Sequence, residues 1–211
     1  MKFTGIMRLS LPVAVLMAGM VAGAQSTTTT TSTQTSAMKP ATVGERKENQ
    51  QDRIANGVQN GSLTAGETSN LESKEAAINQ ETRADRAANG GKLTSAEKQQ
   101  INGQQNQLSK QIYTDKHNAA SQHYGNNEVD RRRENQQDRI AQGIRSGQMT
   151  AGEAAKVENQ ERGINQQVHA DRAANGGKLT PAERQQINKE QNHESKNIYN
   201  KKHNGKTQHG H

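Results

Sequence analysis

Residues 48–118 return without a gap as residues 134–204, and 45 of the 71 positions are identical. This duplication constrains the chain more than any other feature, because a segment that folds one way in the first copy must fold the same way in the second. A smaller unit recurs inside each copy. Residues 52–67 resemble residues 85–97, so the elementary unit is a helix, a glycine-containing stop, and a new helix opened by Leu-Thr-x-x-Glu, with Met149 in place of leucine once.

The opening of each unit has capping-box spacing: Thr64/Glu67, Thr94/Glu97, Thr150/Glu153 and Thr180/Glu183. The threonine hydroxyl can accept from the amide three residues on, and the glutamate can reach back to the threonine amide. Leu63, Leu93, Met149 and Leu179 precede the caps, where a hydrophobic staple begins. Pro181 falls at the first helical position, where its missing N–H costs nothing. Asn89-Gly90 and Asn175-Gly176 suit a left-handed helix stop. These signals predict helices over 45–59, 64–88, 94–117, 129–145, 150–174 and 180–203. The fold class is all-α: two tandem three-helix repeats, packed as antiparallel helical hairpins or three-helix units.

Composition limits how well such helices can be filled in. The chain has 211 residues, 28% of them hydrophobic and 2% aromatic, with no Cys and no Trp. That excludes a disulfide framework and a Cys nucleophile, and it argues against a large enzyme core around an apolar pocket. The apolar stripe is a thin seam. Leu71 and Ile78 in the first repeat match Val157 and Ile164 plus Val168; Ile101, Leu108 and Ile112 match Ile187 and Ile198, with Glu194 in place of Leu108. Seven- and eleven-residue spacings keep one helix face. The expectation is thin, capped hairpins rather than a well-filled globule.

The chain begins with Lys2 and Arg8, a short apolar run from Leu9 to Val21, and the small-residue sequence Ala22-Gly23-Ala24. This reads as a cleavable secretory signal over 1–24 and implies a periplasmic or secreted protein of bacterial export. A Thr/Ser-rich disordered linker (25–44) follows, then repeat 1 (45–118), a basic connector (119–133), repeat 2 (134–204) and a disordered histidine-containing tail (205–211).

No nucleophile–base–orienter set, phosphate loop or apolar carboxylate pair stands out, so the sequence predicts no catalytic residue, no cofactor and no metal site. The loops resemble degenerate EF-hands. With Glu67 at the twelfth position, Asn56, Val58 and Asn60 take the first, third and fifth, and Gly61 the sixth. The early oxygen ligands are wrong for calcium. The other loops place Arg86, Ala88 and Gly90, then Gln142, Ile144 and Ser146, then Arg172, Ala174 and Gly176 there. His117 and His203 occupy equivalent helix ends, His209 and His211 lie in the tail, and His123, His169 and His193 read as having no match in the other repeat. No histidine pair has i, i+4 spacing.

The formal net charge is +7. For an exported chain with three tyrosines, anionic envelope polymers or lipid head groups are better partners than nucleic acid. Arg46-Lys47 and Arg131 to Arg133 are the densest basic spots.

The pattern Gln-Asp-Arg-Ile-Ala…Gly-x-Leu-Thr-x-x-Glu, continued by Gln-Asn…Ser-Lys-x-Ile-Tyr…Lys-His-Asn at 105–118 and 191–204, resembles uncharacterised small secreted bacterial helical-repeat proteins. Residues 93–112 are more distantly similar to the Leu-Thr-x-x-Gln segments of the Spy/CpxP family, which implies an all-helical, non-enzymatic periplasmic chaperone or envelope-stress protein. The function expected is that of an exported, non-enzymatic helical repeat protein of the envelope acting by surface interaction. A Spy/CpxP-like chaperone and a weak calcium-binding module are the alternatives.

Overall fold

The computed structural model describes residues 41–208. The expected signal (1–24), the linker to residue 40 and residues 209–211 lie outside the described residues. Those described form six helices and no strand: α1 (Val43–Gln59), α2 (Ala65–Ala88), α3 (Ser95–Lys116), α4 (Glu128–Arg145), α5 (Ala151–Ala174) and α6 (Pro181–Lys202). No helix among them is long and apolar enough to cross a membrane.

The caps set the boundaries. At Thr64, Thr94, Thr150 and Thr180 both halves of the capping box are made, hydroxyl to amide and carboxylate to amide. A fifth box, Thr42/Glu45, starts α1 two residues before the expected end of the linker. It has no Leu-Thr-x-x-Glu signature because Ala41 precedes it. α4 is opened instead by Asn127, whose side chain accepts from the Asp130 amide. After α2 the chain stops in a left-handed turn: Gly90 has φ +60° and the Gly91 amide donates back to the Arg86 carbonyl at 2.7 Å. The second repeat copies it at Gly176 and Gly177. Such a six-to-one bond satisfies a carbonyl the helix end leaves open.

Each repeat is a three-helix unit. α3 touches α1 and α2, and α6 touches α4 and α5. The two units are joined by α2 on α5 and α1 on α4. A Cβ on Gly66 would meet Arg162, and a Cβ on Gly152 would meet Ala76. Gly152 is the repeat equivalent of Gly66, and Arg162 of Ala76, so α2 and α5 run antiparallel about a pseudo-twofold axis. Near that axis the Ser69 hydroxyl donates to the carbonyl of its own equivalent, Ala155, at 2.9 Å.

The two expected three-helix repeats share much of their core. One buried cluster contains Ile54, Leu63, Leu71 and Ile112 of the first repeat together with Ile140, Ile144, Val157 and Ile198 of the second. Val129, Ile164, Val168 and Ile187 form a smaller cluster within repeat 2. The thin seams of the two repeats meet, so most of the buried apolar residues are enclosed jointly. Small residues help by letting elements approach: Leu63 packs onto Gly57, and Met149 onto Gly143, with no room for a Cβ at either glycine.

The repeat also runs past Asn118. The Gln122 amide donates to Gly61 O at 2.8 Å, while its side-chain oxygen accepts from the Ala65 amide. Gln208 makes the same pair of bonds to Gly147 and Ala151. The start of the tail, residues 205–208, is thus docked rather than disordered, and the offset that relates the repeats also pairs Gln122-His123 with Gln208-His209.

Candidate interaction surface

The sequence-predicted site residues are structural. Glu67 accepts from the Thr64 amide at 2.9 Å and from the Asn118 side chain at 2.6 Å; Glu153 repeats this with Thr150 and Asn204. Glu97 and Glu183 are each held by their threonine and by Asn89 or Asn175, and those bonds keep both carboxyls below the usual glutamate range. The carboxylate placed at the twelfth position of a calcium loop is thereby committed to a cap. Among the described residues no group of three His, Asp or Glu side chains could hold a metal ion.

Sequence reasoning missed a tier of buried carboxyls where α2 and α5 meet. Glu72, Glu75, Glu158 and Glu161 are fully buried there, and Glu194 of the neighbouring α6 nearly so. Gln51 donates to Glu72 and Gln137 to Glu158. Burial pushes Glu72 and Glu158 well up, Glu75 to about 7, Glu161 to about 8 and Glu194 to about 7. The signal available was that Gln51, Glu72 and Glu75 are unchanged in the other repeat as Gln137, Glu158 and Glu161. Arg133, 2% exposed, lies over the Tyr124 ring and donates to Asn165 and Asp130. Burial disfavours the charged form of all five.

The outer faces of α3 and α6 are exposed in one repeated pattern. On α3 the stripe is Gln99, Gly103, Asn106, Lys110, Tyr113 and His117; on α6 it is Gln185, Lys189, Asn192, Lys196, Tyr199 and His203. The spacing keeps one helix face. Five of these six positions are identical between the repeats, although none is needed for the core. The exposed face of α2 and α5 behaves otherwise. Asn70, Ser73, Lys74, Ala77 and Arg83 have become Lys156, Asn159, Gln160, Gly163 and His169, and between 70 and 83 only Gln80 is kept among positions exposed in both.

Tyr113 and Tyr199 are the large hydrophobic side chains left in solvent among the described residues, 62% and 56% exposed. Each ring stacks on the histidine four residues later, at 4.2 and 4.1 Å between centroids. The imidazole is fixed by a 2.7 Å contact from its Nδ1 to the tyrosine carbonyl. His117 and His203 also end their helices. The acidic side chains of both helices lie off the stripe: Glu97 and Asp115 on α3, and Glu183, Glu190 and Glu194 on α6. Each stripe therefore presents an aromatic ring, amides and lysine, with no carboxylate among its positions.

No protein-family model matches the chain, and no curated protein or solved structure matches it.

Proposed function

We propose that this is an exported, non-enzymatic helical repeat protein of the cell envelope that binds an anionic polymer on its surface. The observation that carries the reading is the stripe on α3 and α6: solvent-exposed, without a carboxylate among its positions, and identical at five of six of them while the exposed face of α2 and α5 between 70 and 83 has diverged at all but Gln80. Lysines supply attraction and amides supply hydrogen bonds to hydroxyl or acidic oxygens. The leader-like start of the chain, with its basic n-region and short apolar run, supports export.

Titration calorimetry with a soluble polyuronate tests it. Binding is expected at low salt, weakening as salt screens the lysines, and lost in the Lys110→Glu, Lys196→Glu double variant. Equal binding to neutral dextran would overturn the polyanion reading. Binding to phosphatidylglycerol vesicles without binding to polyuronate would assign the surface to lipid head groups instead. Suppression of client aggregation at stoichiometric protein, with no polyuronate binding, would move the function to the chaperone class.

A further inference from the structure

Two copies of the stripe exist, and the contacts place them on opposite sides of the helix stack. α3 touches only α1 and α2; α6 touches only α4 and α5; and the α1/α2 pair faces the α4/α5 pair. The order of layers is therefore α3, then α1 with α2, then α4 with α5, then α6. Neighbouring helix axes lie about 8–10 Å apart, so α3 and α6 are separated by roughly 25–30 Å of packed helix. Their exposed stripes face outward in opposite directions, and a polymer strand lying along one cannot also touch the other without leaving its helix.

We propose that the protein cross-links two strands of an acidic glycan, one held on the α3 face and one on the α6 face. This rests on the surface-binding reading above and adds the ligand class and the valence. The glycan class follows from the tyrosines. One broad, exposed ring per face, held against an imidazole, offers an apolar plane for the C–H face of a sugar ring. Further along each stripe Gln99 or Gln185 offers an amide for hydroxyls, as does the side-chain nitrogen of Asn106 or Asn192, whose oxygen accepts from Arg46 or Arg132, and Lys110 or Lys196 offers a cation for a carboxylate. A nucleic acid strand is matched less well, because stacking along a single strand uses successive aromatic platforms and each stripe has one. The valence follows from the duplication, since five of six stripe positions are identical and each copy supplies a complete surface.

The full mature chain is titrated with a short uronic acid oligosaccharide, and light scattering is followed with a long polyuronate. Wild type is expected to bind two oligosaccharides per chain. With the long polymer, scattering rises to a maximum and falls when protein is in excess. The one-face variant Lys110→Glu, Tyr113→Ala alters only exposed side chains. It is expected to retain wild-type helicity, to bind one oligosaccharide with unchanged affinity, and to give no scattering maximum. The mirror variant Lys196→Glu, Tyr199→Ala behaves the same way, and the combined variant binds none. One oligosaccharide per wild-type chain, or cross-linking that survives in either one-face variant, would overturn the two-strand proposal while leaving surface binding standing. Absence of any oligosaccharide or polymer binding by wild type would sink the surface reading and the proposal with it. Preferential binding of a single-stranded polynucleotide would overturn the glycan assignment.

Discussion

Single residues decide where these helices begin and how closely they meet. Each threonine cap contributes about 1 kcal/mol, so Thr64→Ala with Thr94→Ala is expected to lower unfolding free energy by about 2 kcal/mol in urea titrations. The helical glycines provide a finer test. Gly57 faces the fully buried Leu63, whose Cδ1 would lie 2.5 Å and Cβ 3.3 Å from an added methyl. Gly143 faces Met149 Sδ at 2.6 Å, a thioether with more freedom to turn aside. Gly163 has nothing within 4 Å. Alanine gains up to about 1 kcal/mol in helix propensity at any of the three, while overpacking costs about 1–3 kcal/mol. The expected order of stability in thermal melts is Gly163→Ala above wild type, Gly143→Ala at or below it, and Gly57→Ala lowest. Equal stabilisation by all three would mean that Leu63 and Met149 do not fill those notches.

At the scale of the element, the pairing of α2 with α5 makes stability fall as pH rises. Glu75 and Glu161 have folded pKa values near 7 and 8, above their unfolded value, because burial disfavours the charged form. Lys47 faces Glu75 and Arg133 faces Glu161, and both oppose the shift; Glu194 facing Glu161 adds to it. Glu72 and Glu158 are raised in the same direction. A carboxyl raised on folding contributes its full stability below about pH 4.5 and loses it as pH climbs through 7 and 8. Glu97, Glu153, Glu183 and Asp130 are lowered on folding and act oppositely, their contribution fading as pH falls below about 4. Melting temperature is therefore expected to peak near pH 5 and to decline toward pH 9 by a stability loss of a few kcal/mol. Glu75→Gln with Glu161→Gln should flatten the alkaline limb in melts across that range. A melting temperature that rises from pH 5 to pH 9 would contradict the buried tier. The contrast with the caps shows what a sequence can carry. Thr64 and Glu67 interact across three residues, so their spacing alone announced α2. Glu72 and Glu158 lie 86 residues apart, and a glutamate destined for an interface looks like one destined for solvent. The lysine–tyrosine stripe was in view as letters, but its exposure emerged only once α3 and α6 were known to lie outermost.

At the scale of the molecule, the low apolar content is reconciled with a packed core by division of labour between the repeats. Neither Leu71 nor Val157 is enclosed by its own three helices alone; each belongs to a cluster drawn from both. The contact between repeats is nearly isologous, since Gly66 meets Arg162 as Gly152 meets Ala76. An isolated first repeat, residues 41–126, would expose the α2 face and the side of α1 that α4 covers. Its most favourable substitute partner is a second copy of itself, with Glu72 facing Glu72 across a true twofold axis. That fragment is expected to be poorly helical when dilute and to gain helicity with concentration as it dimerises, measured by sedimentation together with circular dichroism. The dimer should be tighter at pH 5 than at pH 8, because two like carboxyls must share a buried site only when they can stay protonated. A fully helical fragment that remains monomeric at both pH values would show that each repeat holds its own core. The two-repeat chain would then owe its packing to covalent linkage rather than to the shared interface.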